Sequence, residues 1–215
     1  MNRWVQGPIR TAAIWGTIIP SNQTLRKTVR HQRRSLNDSI KRSATSAITK
    51  NFSRALNFRK ATRVAFYMAC DGEIDPLPLC LMAHHLGKKC YLPRVVSHSN
   101  ILTFERYIPG QTTLITNQYG IAEPKHNPRD AIAPWKLDIV ITPLVAFDRE
   151  GNRLGMGAGY YDRTFSDARR RWRIPKLVGL AYSLQEATFE RHARDVPLDM
   201  VITERDAVEF KKITL

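Results

Sequence analysis

The run LDIVITPLVAF at residues 137–147 constrains the fold more than any other stretch of the chain. It is continuously apolar beyond Asp138 and rich in β-branched residues, without the alternation of a half-buried strand. Strands that read this way are covered on both faces, and sheets covered on both faces are mostly parallel, with helices as crossovers. The neighbouring segments agree. VAFYMA (64–69) reads as a strand, PLPLCLMAHHLG (76–87) as a helix and CYLPRV (90–95) as the next strand, which makes a βαβ unit. LTFERYI (102–108) alternates like a half-buried strand, and KLVGLAY (176–182) and MVIT (200–203) complete the set. Tyr161, Phe165, Ala168 and Trp172 recur at helical spacing and predict a helix ending near Arg173. The pattern is that of an α/β three-layer sandwich with a mostly parallel central sheet and helices on both faces.

Two helices precede the first strand. TLRKTVRHQRRSL (24–36) sets Leu25, Val29 and Leu36 among arginines as a basic amphipathic helix, and Ile48, Phe52, Ala55 and Leu56 mark the core-facing stripe of the second. Residues 1–20, MNRWVQGPIRTAAIWGTIIP, hold no periodicity and are broken by Gly7, Pro8, Gly16 and Pro20. They read as an irregular extension, a tail or upstream start, before a single domain over 21–215. Their basic, acid-free character is shared with organelle transit peptides, but they lack a clear small-residue cleavage site.

Charge distribution bears on partners. Of the net +15, residues 1–60 contribute 13 Lys and Arg against one acid, Asp38, while residues 61–215 carry 21 against 18. Basicity is therefore an N-terminal property, and no RNP pattern, KH loop or zinc finger accompanies it, so a nucleic-acid partner is not expected. Cys70, Cys80 and Cys90 are odd in number and lack CxxC spacing, which fits free thiols in a reducing cytoplasm. The longest uncharged runs are too short and too polar to span a bilayer, so no membrane association is expected.

DREGNRLGMGAGYYDRTF (148–165) carries the chemistry, because it strings Arg153, Gly155, Gly157, Gly159, Tyr160, Tyr161 and Asp162 between a buried strand and a helix. Glycines let backbone N–H groups approach an anion, the helix start adds partial positive charge, and Arg153 can offer a fork of donors. Asp162 is placed to hold magnesium beside the same phosphates, or only to cap the helix. The spacing is neither GxGxxG nor GxxxxGK[ST], so neither a dinucleotide fold nor a standard P-loop is indicated. CDGEIDP (70–76) follows a strand and puts Asp71, Glu73 and Asp75 where open α/β sheets keep their ligands. A charged strand-to-helix turn is the plain alternative. Asp195 and Asp199 precede the last predicted strand as ordinary loop acids, and His84-His85 lacks metal-ligand spacing. No nucleophile elbow is present.

TPLVAFDREGNRLGMGAGYYDRTF resembles the signature of the 5-formyltetrahydrofolate cyclo-ligase family, and the likeness extends to TLRKTVRHQRR, DGEID, YLPRV, YGIAEP and DVPLDMVITE in order, over about residues 22–206. The resemblance implies ATP- and magnesium-dependent conversion of 5-formyltetrahydrofolate, with or without a polyglutamate tail, to 5,10-methenyltetrahydrofolate by a monomer. In that chemistry the formyl oxygen is phosphorylated by ATP, a neighbouring folate nitrogen closes the ring and phosphate leaves. The resemblance also implies ATP contacts at Asn22, Gln23, Thr24, Leu25 and Arg26 and at Arg153, Leu154, Gly155, Met156, Gly157, Ala158, Gly159, Tyr160 and Tyr161. It implies substrate contacts at Met68, Glu73, Met156, Gly157, Ala158, Gly159 and Tyr160, and magnesium ligands at Asp162 and Asp199, with Arg153, Tyr160 and Asp162 at the reacting centre. Two positions depart from the family pattern. Asn22 stands where a basic residue is frequent, and Ala158 stands where Gly or Lys is usual, which raises the question of backbone strain there. A folate-storage protein without catalysis would share every one of these motifs.

Overall fold

The structure is a computed structural model that describes residues 20–55, 58–96, 99–166 and 175–210. Nearly all of the irregular extension, Leu56, Ala168 and Trp172 lie outside the described residues. The chain runs through α1 (Asn22–Ser35), α2 (Asp38–Ala55), β1 (Arg63–Ala65), α3 (Leu77–His85), β2 (Lys89–Val95), β3 (Leu102–Tyr107) and β4 (Leu114–Thr116). There follow β5 (Ala122–Pro124), β6 (Ala131–Ile132), β7 (Ile139–Thr142), β8 (Ala146–Phe147), β9 (Arg153–Leu154), α4 (Tyr160–Ser166), β10 (Lys176–Leu180), β11 (Met200–Ile202) and β12 (Ala207–Glu209).

Eight strands form the main sheet in the order β12-β11-β10-β7-β1-β2-β3-β6. β11, β10, β7, β1 and β2 are mutually parallel, and β12, β3 and β6 add antiparallel edges. The apolar runs are explained by two-sided burial. Val64, Ile139, Ile141, Val178 and Ile202 face a core shared with Ala44, Ile48 and Phe52 of α2 and Leu79, Cys80 and Ala83 of α3. Ala65, Val140, Leu177 and Val201 face the other way, toward Phe165 of α4 and the loop residues Leu144, Val196 and Leu198. Successive strand residues point to opposite faces, so each residue of a central strand must be apolar. Ala55, expected in the α2 stripe, is exposed, and the stripe runs through Ala44 instead.

The run 137–147 is not one strand. β7 ends at Thr142 because Pro143 has no N–H for the ladder, and Ala146 and Phe147 pair instead with Leu154 and Arg153 in a separate hairpin. β1 is likewise shorter than VAFYMA, and Met68 lies beyond it at its carboxyl end. α1 packs on neither sheet face. Its Leu25 and Val29 enter a small third core with Val145, Ala146, Leu154 and Phe189, which seats the basic helix on the β8–β9 hairpin. Among the described residues no helix is long and apolar enough to cross a membrane.

Candidate active site

α1 links the two segments singled out by their chemistry. Arg26 donates its Nε to the carbonyl of Gly155 (2.8 Å), and Arg33, two turns on, donates its Nε to the carbonyl of Asp71 (2.8 Å). Seven residues of helix rise about 10 Å, which sets the separation of the two anchor points. The glycine loop and the 70–73 turn are thus both fastened to one helix, seven residues apart.

The turn wall is densely bonded. Asp71 has φ +52° and Gly72 φ +76°, a left-handed pair that turns the chain back after β1. The Asp71 carboxylate accepts from Arg30 Nε (2.7 Å), Arg33 Nη2 (2.8 Å) and Arg34 Nη1 (3.2 Å). Burial alone would raise its pKa, but the hydrogen bonds from Arg30 and Arg33 outweigh that and hold it below the usual range. Glu73 Oε2 accepts the Cys70 N–H (3.2 Å), and Oε1 lies 3.6 Å from Arg33 Nη2. Its side chain is only 6% exposed. Burial pushes this carboxyl upward despite Arg33, and pushes the neighbouring Cys70 thiol to about 11. A cleft of about 630 Å³ between α2 and α3 reaches Glu73 and Asp75, with Lys41, Arg42 and Lys50 along its α2 wall.

The loop wall is open. Met156, Gly157 and Ala158 are exposed, and among the described residues none of the N–H groups from Gly155 to Gly159 has a protein hydrogen-bond partner. Gly157 has φ +108° and Gly159 φ +64°, whereas Ala158 is outside the left-handed region, so alanine is accommodated there without backbone strain. Arg163 reaches back to the Ala158 carbonyl and lies 5.5 Å over the Tyr160 ring. The Tyr160 hydroxyl meets that of Tyr119 at 2.8 Å, which raises the Tyr160 pKa and brings the β4–β5 turn against the loop. Tyr119 belongs to the YGIAEP motif and was given no role by sequence reasoning, since its contact with Tyr160 spans 41 residues.

Several expected contacts fall differently. Asn22 is bonded to the Glu190 main chain through both side-chain atoms, so it docks α1 on the 187–192 loop. Gln23 and Thr24 are exposed in the first turn, where Ser21 caps Thr24, and the side chains of Leu25 and Leu154 are core. Arg153 does not offer a free fork. It is buried, donates to the Val196 carbonyl, and pairs with Asp162 Oδ1 at 2.7 Å. Asp162 also accepts the Val196 N–H (3.0 Å), so its partners lie outside α4 and it is not a helix cap. Tyr161 is half-buried and stacks on Phe165 (6.5 Å between rings), and desolvation raises its pKa, with the Glu73 charge adding to the effect. Met68 is half-buried at the edge of the α2–α3 core.

Asp199 is a correction. Its Oδ2 accepts the Leu177 N–H (2.8 Å), which places it at the amino end of β10 rather than at the carboxyl edge expected of it. Val196, next in the chain to Asp195, supplies the N–H to Asp162, while the Asp195 carboxylate itself accepts the His192 N–H (3.0 Å). Among the described residues no group of three His, Cys, Asp or Glu could hold a metal. Asp162 fits as a single carboxylate ligand beside phosphate oxygens, because both its bonds end on Oδ1 and leave Oδ2. Asp199 does not fit.

The chain is similar to known proteins along most of its length. The chain matches the 5-formyltetrahydrofolate cyclo-ligase family over residues 18–204. It is 39% identical over 180 residues to the 5-formyltetrahydrofolate cyclo-ligase of Haemophilus influenzae, covering 82% of this chain and 94% of that one. The Escherichia coli protein of the same name is 39% identical over 155 residues, covering 70% and 82%. The NMR structure of Aquifex aeolicus 5,10-methenyltetrahydrofolate synthetase superimposes with a TM-score of 0.75 at 32% identity, over 89% of this chain and 93% of that one. With the glycine loop, the acidic turn and strands β1 to β11 inside the matched region, the chain belongs to the 5-formyltetrahydrofolate cyclo-ligase family.

Proposed function

We propose that this protein closes 5-formyltetrahydrofolate to 5,10-methenyltetrahydrofolate with ATP, in the cleft between the 70–73 turn and the 155–160 loop. One observation carries the reading: a buried carboxylate, Glu73, and a run of backbone N–H groups unpartnered among the described residues are tied to the same helix, one to receive N–H donors and the other to receive an anion. The Glu73 carboxylate accepts the paired N–H groups of the pterin edge, and Met68 and Met156 border the ring. The N–H groups of Gly155 to Gly159 receive ATP phosphates at close range, helped by Arg26, whose Nε alone is engaged among the described residues. The formyl oxygen attacks the γ-phosphorus, ADP leaves, the neighbouring folate nitrogen closes the ring on the activated carbon and phosphate departs. No side chain acts as nucleophile, so the contribution of the protein is alignment and charge neutralisation.

Arg153 serves this by holding Asp162 at the loop. A magnesium ion accompanying ATP would neutralise phosphate charge, and Asp162 is the carboxylate proposed to hold it. Tyr160 and Tyr119 border the loop together. The polyglutamate tail of a cellular folate has the basic α2 wall within reach of Glu73. Three free thiols support a cytoplasmic setting, and a monomer suffices because both walls come from one chain.

The nucleic-acid reading loses ground on α1. Arg33 is buried, Arg26 is bonded to Gly155, and Arg30 and Arg34 converge on Asp71. The test is to mix purified protein with 5-formyltetrahydrofolate, magnesium and ATP and follow methenyl-folate absorbance. Product with ADP release is expected. Folded protein that binds folate without product would instead establish storage.

A further inference from the structure

Arg33 is wholly buried, which is rare for an arginine and costly unless its donors are met. Its Nε donates to Asp71 O (2.8 Å), its Nη2 to Asp71 Oδ2 (2.8 Å) and its Nη1 to Leu144 O (3.1 Å), and Nη2 lies 3.6 Å from Glu73 Oε1. Holding α1 in place does not require this, because Leu25 and Val29 already anchor it. The turn, by contrast, needs a fastening. Asp71 adopts a positive φ unusual for a residue with a Cβ, and Gly72 packs so close to α1 that a Cβ would stand 3.2 Å from the Arg33 carbonyl oxygen and the Arg34 Cα. Arg30 and Arg34 grip Asp71 from the surface, at 34% and 52% exposure, whereas Arg33 reaches both carboxylates from below.

We propose that Arg33 is a positioning residue for substrate binding, fixing the Asp71-Gly72 turn through its fork and keeping the Glu73 carboxylate available as an acceptor through its charge. The proposal rests on Glu73 being the folate-binding carboxylate. Other groups around Glu73 do not replace it. Asp71 and Asp75 on its own loop are acidic, the Cys70 thiol is pushed to about 11 and is neutral, and Tyr67 and Tyr161 are driven up by burial. Lys41, Arg42 and Lys50 belong to α2 across the cleft.

Two variants of the full chain test it, Arg33→Met and Arg33→Lys, read by NMR titration of the Glu73 carboxyl carbon without ligand and by calorimetric affinities for 5-formyltetrahydrofolate and for ATP against pH. In Arg33→Met the Glu73 titration should move upward, and folate affinity at neutral pH should fall at least about tenfold for each unit moved beyond neutrality. It should recover as pH rises, while ATP affinity stays near wild type. Arg33→Lys keeps a charge but not the fork, so its Glu73 titration should return toward wild type, with folate affinity lowered several-fold at all pH values. An unmoved Glu73 titration in Arg33→Met, or equal pH-independent losses for folate and ATP, overturns the proposal. If Arg33→Met does not fold, Arg33→Lys decides, and wild-type folate affinity there also overturns it. Unchanged folate affinity in Glu73→Gln would remove the reading of Glu73 itself, and the ligand-free titration separates that failure from a failure of Arg33.

Discussion

The 70–73 turn and the 155–159 loop follow strands of similar burial and are anchored to one helix, yet their internal bonding is opposite. The turn has its carboxylates surrounded by arginines and by its own Cys70 N–H before any substrate arrives. Among the described residues the loop holds its N–H groups without protein partners, and it exposes Met156 to 46%. On the proposed reading, the difference follows from the ligand each wall would meet. A neutral heterocycle is selected by a few donors in fixed places, so its acceptor must be built in advance. A triphosphate brings enough charge to order backbone dipoles itself, so that wall can remain hydrated until it binds.

The harshest way to break this contrast is to remove the buried arginine that pairs with Asp162 beside the loop wall. Arg153→Ala would leave the Asp162 carboxylate without its cation and open a buried space, and loss of one partner of a buried pair costs about 3 kcal/mol or more. Thermal unfolding should report that loss, together with near-complete loss of turnover. Wild-type stability would mean that the loop wall has no internal anchor of consequence.

Glu73→Gln strikes the preformed wall. Replacing an acceptor by a donor facing N–H groups should weaken folate binding by about 2–3 kcal/mol, the scale of a hydrogen bond to a charged group, and spare ATP. Acidification should have the same selectivity. Burial raises the folded pKa of Glu73 above its unfolded value, so the carboxyl takes up its proton as pH falls through that raised value, and folate affinity should decline there while ATP affinity does not follow. The stability signs differ within the turn. Glu73, raised, favours the folded state at low pH and loses that contribution as pH rises. Asp71, lowered, contributes above its unfolded value and loses it as pH falls through its folded one. Calorimetric affinities across the acid range, in wild type and Glu73→Gln, check this, since the variant should lose the pH dependence.

Asp162→Asn should act on chemistry more than on binding. Turnover should fall at least about tenfold, or roughly 1.4 kcal/mol, and need more magnesium. Because Asp162 pairs with Arg153 rather than capping α4, the variant should also melt earlier than wild type, and unaltered melting with unaltered magnesium dependence would place the metal elsewhere.

What the sequence disclosed and what it hid divide along a physical line. The central strands were legible because burial on both faces demands unbroken apolar runs, and the glycine loop because few other structures need glycine at alternate positions. Pro143 also carried a signal, since a residue without an N–H was certain to interrupt a central strand. Arg33 carried none. Among five arginines and lysines of one amphipathic helix it looks solvated, and only its meeting with Asp71, 38 residues away, distinguishes it. Asp199 and Asp195 were equally indistinct as loop acids, and the hydrogen bond of one to Leu177 is a tertiary fact.

The smallest expected effect gives the finest test of the open wall. Gly155 and Gly157 both face open space, where an added Cβ would meet nothing within 4 Å, so a clash cannot separate them. Their backbones can: Gly157 has φ +108°, while Gly155 is not in the positive-φ region. Alanine at 157 therefore costs about 1 kcal/mol or more in backbone strain, or drives the loop into another conformation, whereas alanine at 155 suits its backbone and gains about 0.4–1 kcal/mol by restricting the unfolded chain. Melting temperatures of the two variants should move in opposite directions. ATP affinity should weaken in Gly157→Ala with folate affinity unchanged, because the strain falls on the N–H groups proposed to receive phosphate and not on the turn carrying Glu73. Equal behaviour of the two variants would mean that the loop adopts its phosphate-binding conformation only after ATP arrives, and the contrast between the walls would then be one of folding order rather than of built geometry.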